Sequence, residues 1–421
     1  MTTQYYVITY KRFKGEIFML SNRVISITPS YTIGISSKVN ELKKQGIDVI
    51  NLSIGEPDFN IPDKAKIFGI DSLNKNYTKY DLIPGLKDLR YEICTKLLKE
   101  NNCDYSIDEI VVSSGAKHSI TNALLAITNP GDEILLPKPY WVSYPESIKL
   151  VNAKPILIDT KKDNNFKVTV NDLIDNLTPK SKMLILNNPS NPTGCIYTKD
   201  ELKDIVKFCY ENNIYILADE IYERICFDKQ FISVASISDK AKDITITING
   251  FSKSYAMTGI RLGYSASNKS IAKAISSIQG HLTSHPSLVA QYIGLGALKY
   301  CDKDIDNMVK KYHSRRDLIC KALDNIPNID YINPDGAFYL FIDISKLKDK
   351  VKYRDSYSIE FCNQLLKNYK VAAVPGIAFG IDDYIRISFA TSEDEFLEGL
   401  KRLNLFINNI TSNINIINTN I

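Results

Sequence analysis

Short β-branched runs alternate with helical apolar stripes along most of this chain, and that alternation restricts the fold more than any other feature. The runs are 109–113 (EIVVS), 133–136 (EILL), 183–187 (MLILN), 214–218 (IYILA), 244–248 (ITITI) and 260–265 (IRLGYS). They are continuously apolar rather than alternating, as strands buried on both faces are. Leu86, Leu89, Ile93 and Leu97 recur at helical spacing, as do Ile35, Val39 and Leu42 in a helix expected over 35–46 and closed by Gly46. Residues 48–53 (DVINLS) read as a further strand. The pattern predicts an α/β fold with a mostly parallel sheet covered by helices. After about residue 300, helical stretches frame two strands, 338–343 and 384–389, and predict a smaller α+β domain.

Composition removes other classes. The chain has 421 residues, 44% hydrophobic and 24% charged, which excludes a disordered chain, a coiled coil or a collagen. The net charge is +4 and no stripe concentrates it, so nucleic acid and membrane surfaces are not expected partners. No apolar run reaches the length of a membrane span. Eight cysteines without a CxxC, and four histidines, predict reduced thiols in a cytoplasmic protein and no metal site. His281 and His285 have helical spacing, but Pro286 follows directly and argues against a helix-borne metal pair. Residues 1–18, aromatic and basic, lack a signal-peptide core and read as a disordered extension upstream of Met19. The Asn/Ile-rich tail, 409–421, is expected to fray.

In an open parallel sheet, ligands sit beyond the carboxyl ends of the strands. The run 244–248 leads into NGFSKSYAMTGIRLGY (249–264). Ser252, Lys253 and Arg261, framed by Gly259 and Gly263, put a hydroxyl, an amine and a guanidinium near one loop. That set suits a phosphorylated aldehyde: the amine forms a Schiff base, while the arginine and serine hold the phosphate.

This segment resembles the cofactor-lysine signature of class I/II aminotransferases, which depend on pyridoxal 5'-phosphate, and other segments agree in family order from about residue 20 to 408. The resemblance implies fold type I with a seven-stranded sheet, an N-terminal arm and part of the small domain over 19–65, a large domain over 66–299 and a small domain over 300–408. It implies that Lys253 holds the cofactor and is the catalytic base. Asp219, in DEIY (219–222), pairs with the pyridine nitrogen and keeps the ring an electron sink. Tyr222 and Asn191, the latter in NPSNPTG (188–194), reach the phenolic oxygen. Ser114, Gly115 and Ala116 (SGAKHS, 114–119) cradle the phosphate at a helix N-terminus. Trp141, the only tryptophan, stacks on the ring. Tyr80 reaches the phosphate of a neighbouring subunit, which implies a homodimer with shared active sites.

For the substrate, the resemblance assigns Arg386, within YIRISFA (384–390), to the α-carboxylate, with Asn191 and Trp141 beside it. An arginine inside an apolar strand needs an anion, either a structural ion pair or a ligand. Gly55, in SIGEPDF (53–59), matches a glycine that closes over the substrate. Lys117 and the segment TPSYTIG (28–34), with Ser30 and Thr32, are most similar to the prokaryotic class Ib aspartate and aspartate/prephenate aminotransferases. There they meet the distal carboxylate. The expected reaction moves an amino group from aspartate to 2-oxoglutarate. Transamination of alanine, aromatic amino acids, prephenate or kynurenine, or lyase chemistry on the same fold, are the alternatives. The cofactor-binding module of a transcription factor, a further alternative, is not expected, because the roughly 30 residues before the fold are too few for a helix-turn-helix domain.

Overall fold

The computed structural model describes residues 20–412; the expected extension over 1–18 lies outside them, as does the tail beyond 412. Seven strands form the main sheet: β1 (Ile110–Ser113), β2 (Glu133–Pro137), β3 (Lys154–Ile158), β4 (Ser181–Asn187), β5 (Tyr215–Asp219), β6 (Thr245–Gly250) and β7 (Gly263–Ala266). Their order is β1-β7-β6-β5-β4-β2-β3. All run the same way except β7, which is antiparallel to both β1 and β6.

Residues of these strands alternate between two buried layers. Met183, Ile185 and Leu217 face one hydrophobic cluster with Ile120 and Leu124 of the helix Ala116–Ile127. Leu184, Leu186, Ile216 and Ala218 face another with Leu202, Ile205, Val206 and Cys209 of the helix Lys199–Glu211. Because side chains point alternately up and down a strand, a run buried on both faces has no polar position, which is why it reads as continuously apolar. The helix Lys199–Glu211 starts at a reciprocal cap: Thr198 accepts from the Glu201 amide, and the Glu201 carboxylate accepts from the Thr198 amide.

β3 has no counterpart among the runs read from the sequence. Its segment KPILI carries a proline at the second position, and it lies at the sheet edge with Leu157 exposed. Proline is compatible with an edge strand but weakens the strand signal. Residues 48–53 give only a two-residue strand, Ile50–Asn51, paired in parallel with Val371–Ala372. The expected helix over 35–46 begins earlier, at Tyr31, and ends at Lys44.

A second sheet of four antiparallel strands follows: β8 (Asp330–Tyr331), β9 (Tyr339–Asp343), β10 (Val374–Pro375) and β11 (Tyr384–Ser388), in the order β10-β11-β9-β8. The last helix, Glu393–Thr411, continues past the expected start of the tail at 409. Among the described residues no helix is long and apolar enough to cross a membrane, and the eight cysteines carry free thiols. His281 closes the helix Lys269–Leu282 and His285 lies beyond it, so the two do not share a helix.

Behind the end of β5 lies a buried polar cluster. Lys96, on the helix Lys87–Asn101, pairs with Glu223, which also accepts from Asn101 Nδ2 at 2.6 Å. Glu220 accepts from Ser233 Oγ at 2.8 Å and from the Val234 amide at 2.9 Å, and burial pushes its carboxyl up to about 8. Lys96 and Glu223 are almost inaccessible to solvent. Removing one member of a buried pair strands the other charge. Lys96→Met is therefore expected to cost about 3–5 kcal/mol of stability in chemical denaturation, and Lys96→Met with Glu223→Leu is expected to recover most of that loss.

Candidate active site

The ends of β1, β4, β5 and β6 open into one cavity of about 800 Å³, closed on the far side by β11 and by residues 51–56. Each strand hands over to a turn whose side chains face it.

After β6, Ser252 and Lys253 line the cavity. Lys253 Nζ donates to the Gly55 carbonyl. Burial, reinforced by the Arg386 and Arg261 charges, lowers its pKa to about 8. After β5, the Asp219 carboxylate is fully enclosed. Its Oδ2 accepts from Tyr144 Oη at 2.6 Å and its Oδ1 from the Ile221 amide at 3.3 Å. Burial raises its pKa to about 6, against the lowering effect of those bonds. Tyr222 lies 2.9 Å from Tyr339, hydroxyl to hydroxyl.

After β4, Asn187 ties the turn together: its Nδ2 donates to the Asp219 carbonyl at 2.9 Å and its Oδ1 accepts from the Asn191 amide at 2.7 Å. Asn191 Oδ1 then accepts from Arg386 Nη1 at 3.1 Å, while Arg386 Nη2 donates to the Ser53 carbonyl at 3.0 Å. The Arg386 guanidinium lies 4.2 Å from the Tyr339 ring centroid and 5.1 Å from that of Phe379. Its buried Nε has no partner. Among the described residues no carboxylate pairs with it, so of the two anions a buried arginine could need, the structural ion pair is excluded.

After β1, Gly115 takes φ +89°, and a Cβ there would stand 2.6 Å from Arg261 Nη2. Glycine thus lets the Arg261 guanidinium close on the start of the helix Ala116–Ile127. The Ser114 amide donates to His118 Nδ1 and the Gly115 amide to the Ser113 carbonyl. The His118 and Ser119 amides donate to the Gly115 carbonyl, which leaves those of Ala116 and Lys117 as the first-turn amides without an intrahelical acceptor. Ala116 and Lys117 line the cavity, whereas Ser114 and Gly115 lie behind the wall. Lys117 Nζ sits 4.9 Å from the Trp141 ring centroid, and burial together with the Arg261 charge lowers its pKa.

Thr32 lines the mouth. Ser30 does not, but its Oγ lies 3.0 Å from Thr32 Oγ1. Tyr80 is remote from this cavity: it is 90% exposed and meets His285 edge-on. The cavity therefore gathers Lys253, Asp219, Tyr222, Asn191, Trp141, Ser252, Arg261, Arg386, Gly55, Ala116, Lys117 and Thr32. Sequence reasoning missed Tyr144, Tyr339 and Asn187. Tyr144 carried a signal, standing three residues after Trp141 in WVSYPE.

These residues fit a phosphorylated pyridine aldehyde. They offer a nucleophilic amine with a depressed pKa, a buried carboxylate, a glycine-gated guanidinium at a helix start and a flat indole wall. The comparisons agree. A family profile described as "Aminotransferase class I and II" matches residues 47–403. The chain is 42% identical over 390 residues to an aspartate aminotransferase of Bacillus sp. (strain YM-2), covering 92% of this chain and 99% of that one. It is 42% identical over 387 residues to a probable aspartate/prephenate aminotransferase of Aquifex aeolicus, covering 91% and 97%. The aspartate aminotransferase of Thermus thermophilus solved with maleate superposes with a TM-score of 0.87 at 32% identity, covering 92% of this chain and 99% of that one. The fold is thus that of the type I enzymes dependent on pyridoxal 5'-phosphate, and this chain belongs to the class I and II aminotransferase family.

Proposed function

We propose that this chain transfers the amino group of L-aspartate to 2-oxoglutarate, as a cytoplasmic homodimer with shared active sites. One observation carries the reading. Besides the exposed Lys43, four cations line a single cavity (Lys253, Arg261, Arg386 and Lys117), and among the described residues none of the four has a carboxylate in salt-bridge contact. Cations left in this way need anionic or covalent partners from outside the chain.

The assignment follows from position. Arg261, Ser252 and the amides at Ala116 hold the cofactor phosphate, with Ser114 and Gly115 shaping the turn beneath. Asp219 pairs with the pyridine nitrogen, Tyr222 and Asn191 meet the phenolic oxygen, and Trp141 covers the ring. When bound, pyridoxal 5'-phosphate supplies an aldehyde that takes up the amino group and a protonated ring that draws electrons from the Cα–H bond. Lys253 Nζ holds the cofactor at rest and, once free, removes the proton from the substrate Cα. Its depressed pKa leaves about a tenth of the amine neutral at pH 7, against well under a thousandth for an ordinary lysine. Arg386, oriented by Asn191 and Ser53, grips the α-carboxylate, and Gly55 closes over it. Lys117, with Thr32 at the mouth and Ser30 bonded behind it, meets the second carboxylate. The name of the Thermus structure supports this, because maleate is a dicarboxylate. Free thiols suit a reducing compartment.

Three tests follow the three parts of the reading. For Lys253, only the neutral amine attacks an aldehyde. Cofactor capture by the cofactor-free protein, fixed with borohydride and located by peptide mapping on Lys253, should rise about tenfold from pH 7 to 9 and then level off, because the amine titrates near 8. A rate that keeps climbing past pH 10, or a label on another lysine, overturns the assignment.

For Lys117, a charge-assisted contact in a dry site contributes about 1.5–3 kcal/mol, or roughly 10- to 150-fold. Lys117→Ala should lower kcat/KM for aspartate and glutamate by that factor and leave alanine nearly unchanged. Equal losses for both would place Lys117 with the cofactor or the fold instead.

For the dimer, Tyr80 is exposed, as are Tyr77, Leu82, Ile67 and Ile70. Mixed dimers of Tyr80→Ala and Lys253→Ala chains carry one intact site each. The mixture should regain up to about a quarter of parental activity. Activity no greater than the sum of the two variants would show that the sites are not shared.

A further inference from the structure

Of the groups that the proposed chemistry uses, the Tyr144 ring packs on Trp141 and its hydroxyl bonds to Asp219. Tyr144 and Asp219 are both buried, and among the described residues the 2.6 Å contact from Tyr144 Oη to Asp219 Oδ2 is the only hydrogen bond from another side chain to that carboxylate. The remaining donor is the Ile221 amide, two residues along the chain, at a longer 3.3 Å. Tyr144 opens the short helix Tyr144–Leu150, and its ring stands edge-on to Trp141 with centroids 5.2 Å apart. The indole that faces the cavity and the phenol that holds Asp219 are therefore packed as one unit, three residues apart across the turn that leads into the helix.

A carboxylate in a dry site is held ionised and in one rotamer by the donors it accepts from. We propose that Tyr144 is a positioning residue. Its hydroxyl donates to Asp219 Oδ2, fixes the carboxylate in one orientation and keeps it in the charged form that would pair with a pyridine N–H. Burial and the Asp219 charge both raise the Tyr144 pKa, so the phenol stays protonated and acts as a donor. Burial already lifts Asp219 to about 6, and the Tyr144 bond opposes that rise. The titratable groups near Asp219 are Lys253, which is the charged one, and the neutral phenols of Tyr144 and Tyr222. No other cation among the described residues takes over if the hydroxyl is lost.

The inference rests on Asp219 being the ring partner, and a double-mutant cycle separates the two claims. The probe is pyridoxamine 5'-phosphate, whose affinity does not include the Lys253 bond. Its binding can be read by quenching of Trp141, the only tryptophan. Asp219→Ala should weaken binding by about tenfold or more; no effect there overturns the ring-partner reading itself. Given that loss, Tyr144→Phe, which keeps the buried ring, should weaken binding by about tenfold in the parent and by less than about twofold in the Asp219→Ala background. Equal losses in both backgrounds would make Tyr144 a packing residue and overturn the proposal, as would no loss in the parent. Thermal midpoints of the cofactor-free variants within a few degrees of the parent exclude unfolding as the cause, and Tyr144→His, which restores a donor, should recover part of the affinity.

Discussion

Arg386 is a cation sealed inside an apolar strand, and the rest of the site is arranged around that constraint. A guanidinium stays protonated even when buried, so it cannot escape the cost by losing its charge. Burial lowers its pKa without neutralising it. The fold meets part of the cost with neutral groups: Asn191 Oδ1, the Ser53 carbonyl and the faces of Tyr339 and Phe379. None of these carries a charge, and Nε is left bare. A guanidinium so placed keeps its affinity for a carboxylate that arrives from outside. The turn after β4 exists in its particular form because Asn191 must be presented to that guanidinium, and Asn187 holds the turn in place.

The same low-dielectric enclosure acts in opposite directions on the other titratable groups. It lowers Lys253 to about 8 and raises Asp219 to about 6. Desolvation penalises whichever form is charged, so an amine and a carboxylate are drawn toward neutrality together. Glu220, in the structural cluster, is perturbed as strongly, so what marks the chemical site is that Lys253 and Asp219 open into one cavity while Glu220 does not line it. The charged network of this protein lies elsewhere. Lys96, Glu220 and Glu223 face away from the cavity, behind the same DEIYE segment that sends Asp219 and Tyr222 into it. One short segment is thus clamped on its back while it presents chemistry on its front.

Much of this was legible from residue order. Apolar runs followed by GFSKS, DEIY, NPSNPTG and SGAK pointed to strand ends that share a cavity, and they do. The edge strand β3 was not legible, because its proline and its half-exposed face mimic a loop. The roles of Ser114 and Ser30 as direct contacts were read from motif position. Neither is among the residues that line the cavity, although Ser30 Oγ lies 3.0 Å from the lining Thr32 Oγ1 and Ser114 directly precedes the Gly115 turn.

By itself, the sequence determined the fold class, because burial on both faces of a strand and one face of a helix leaves a periodic record in neighbouring residues. It also determined the chemical vocabulary of the site, since an amine, a carboxylate and guanidiniums cannot exchange roles. Only the tertiary structure decided which groups lack partners and which hold one another. Arg386 meets Ser53 across 333 residues and Asn191 across 195, and Tyr144 meets Asp219 across 75. No local pattern encodes such pairs. They arise where the crossovers of the sheet bring strand ends together, and whether a buried charge is answered or left open is settled only there.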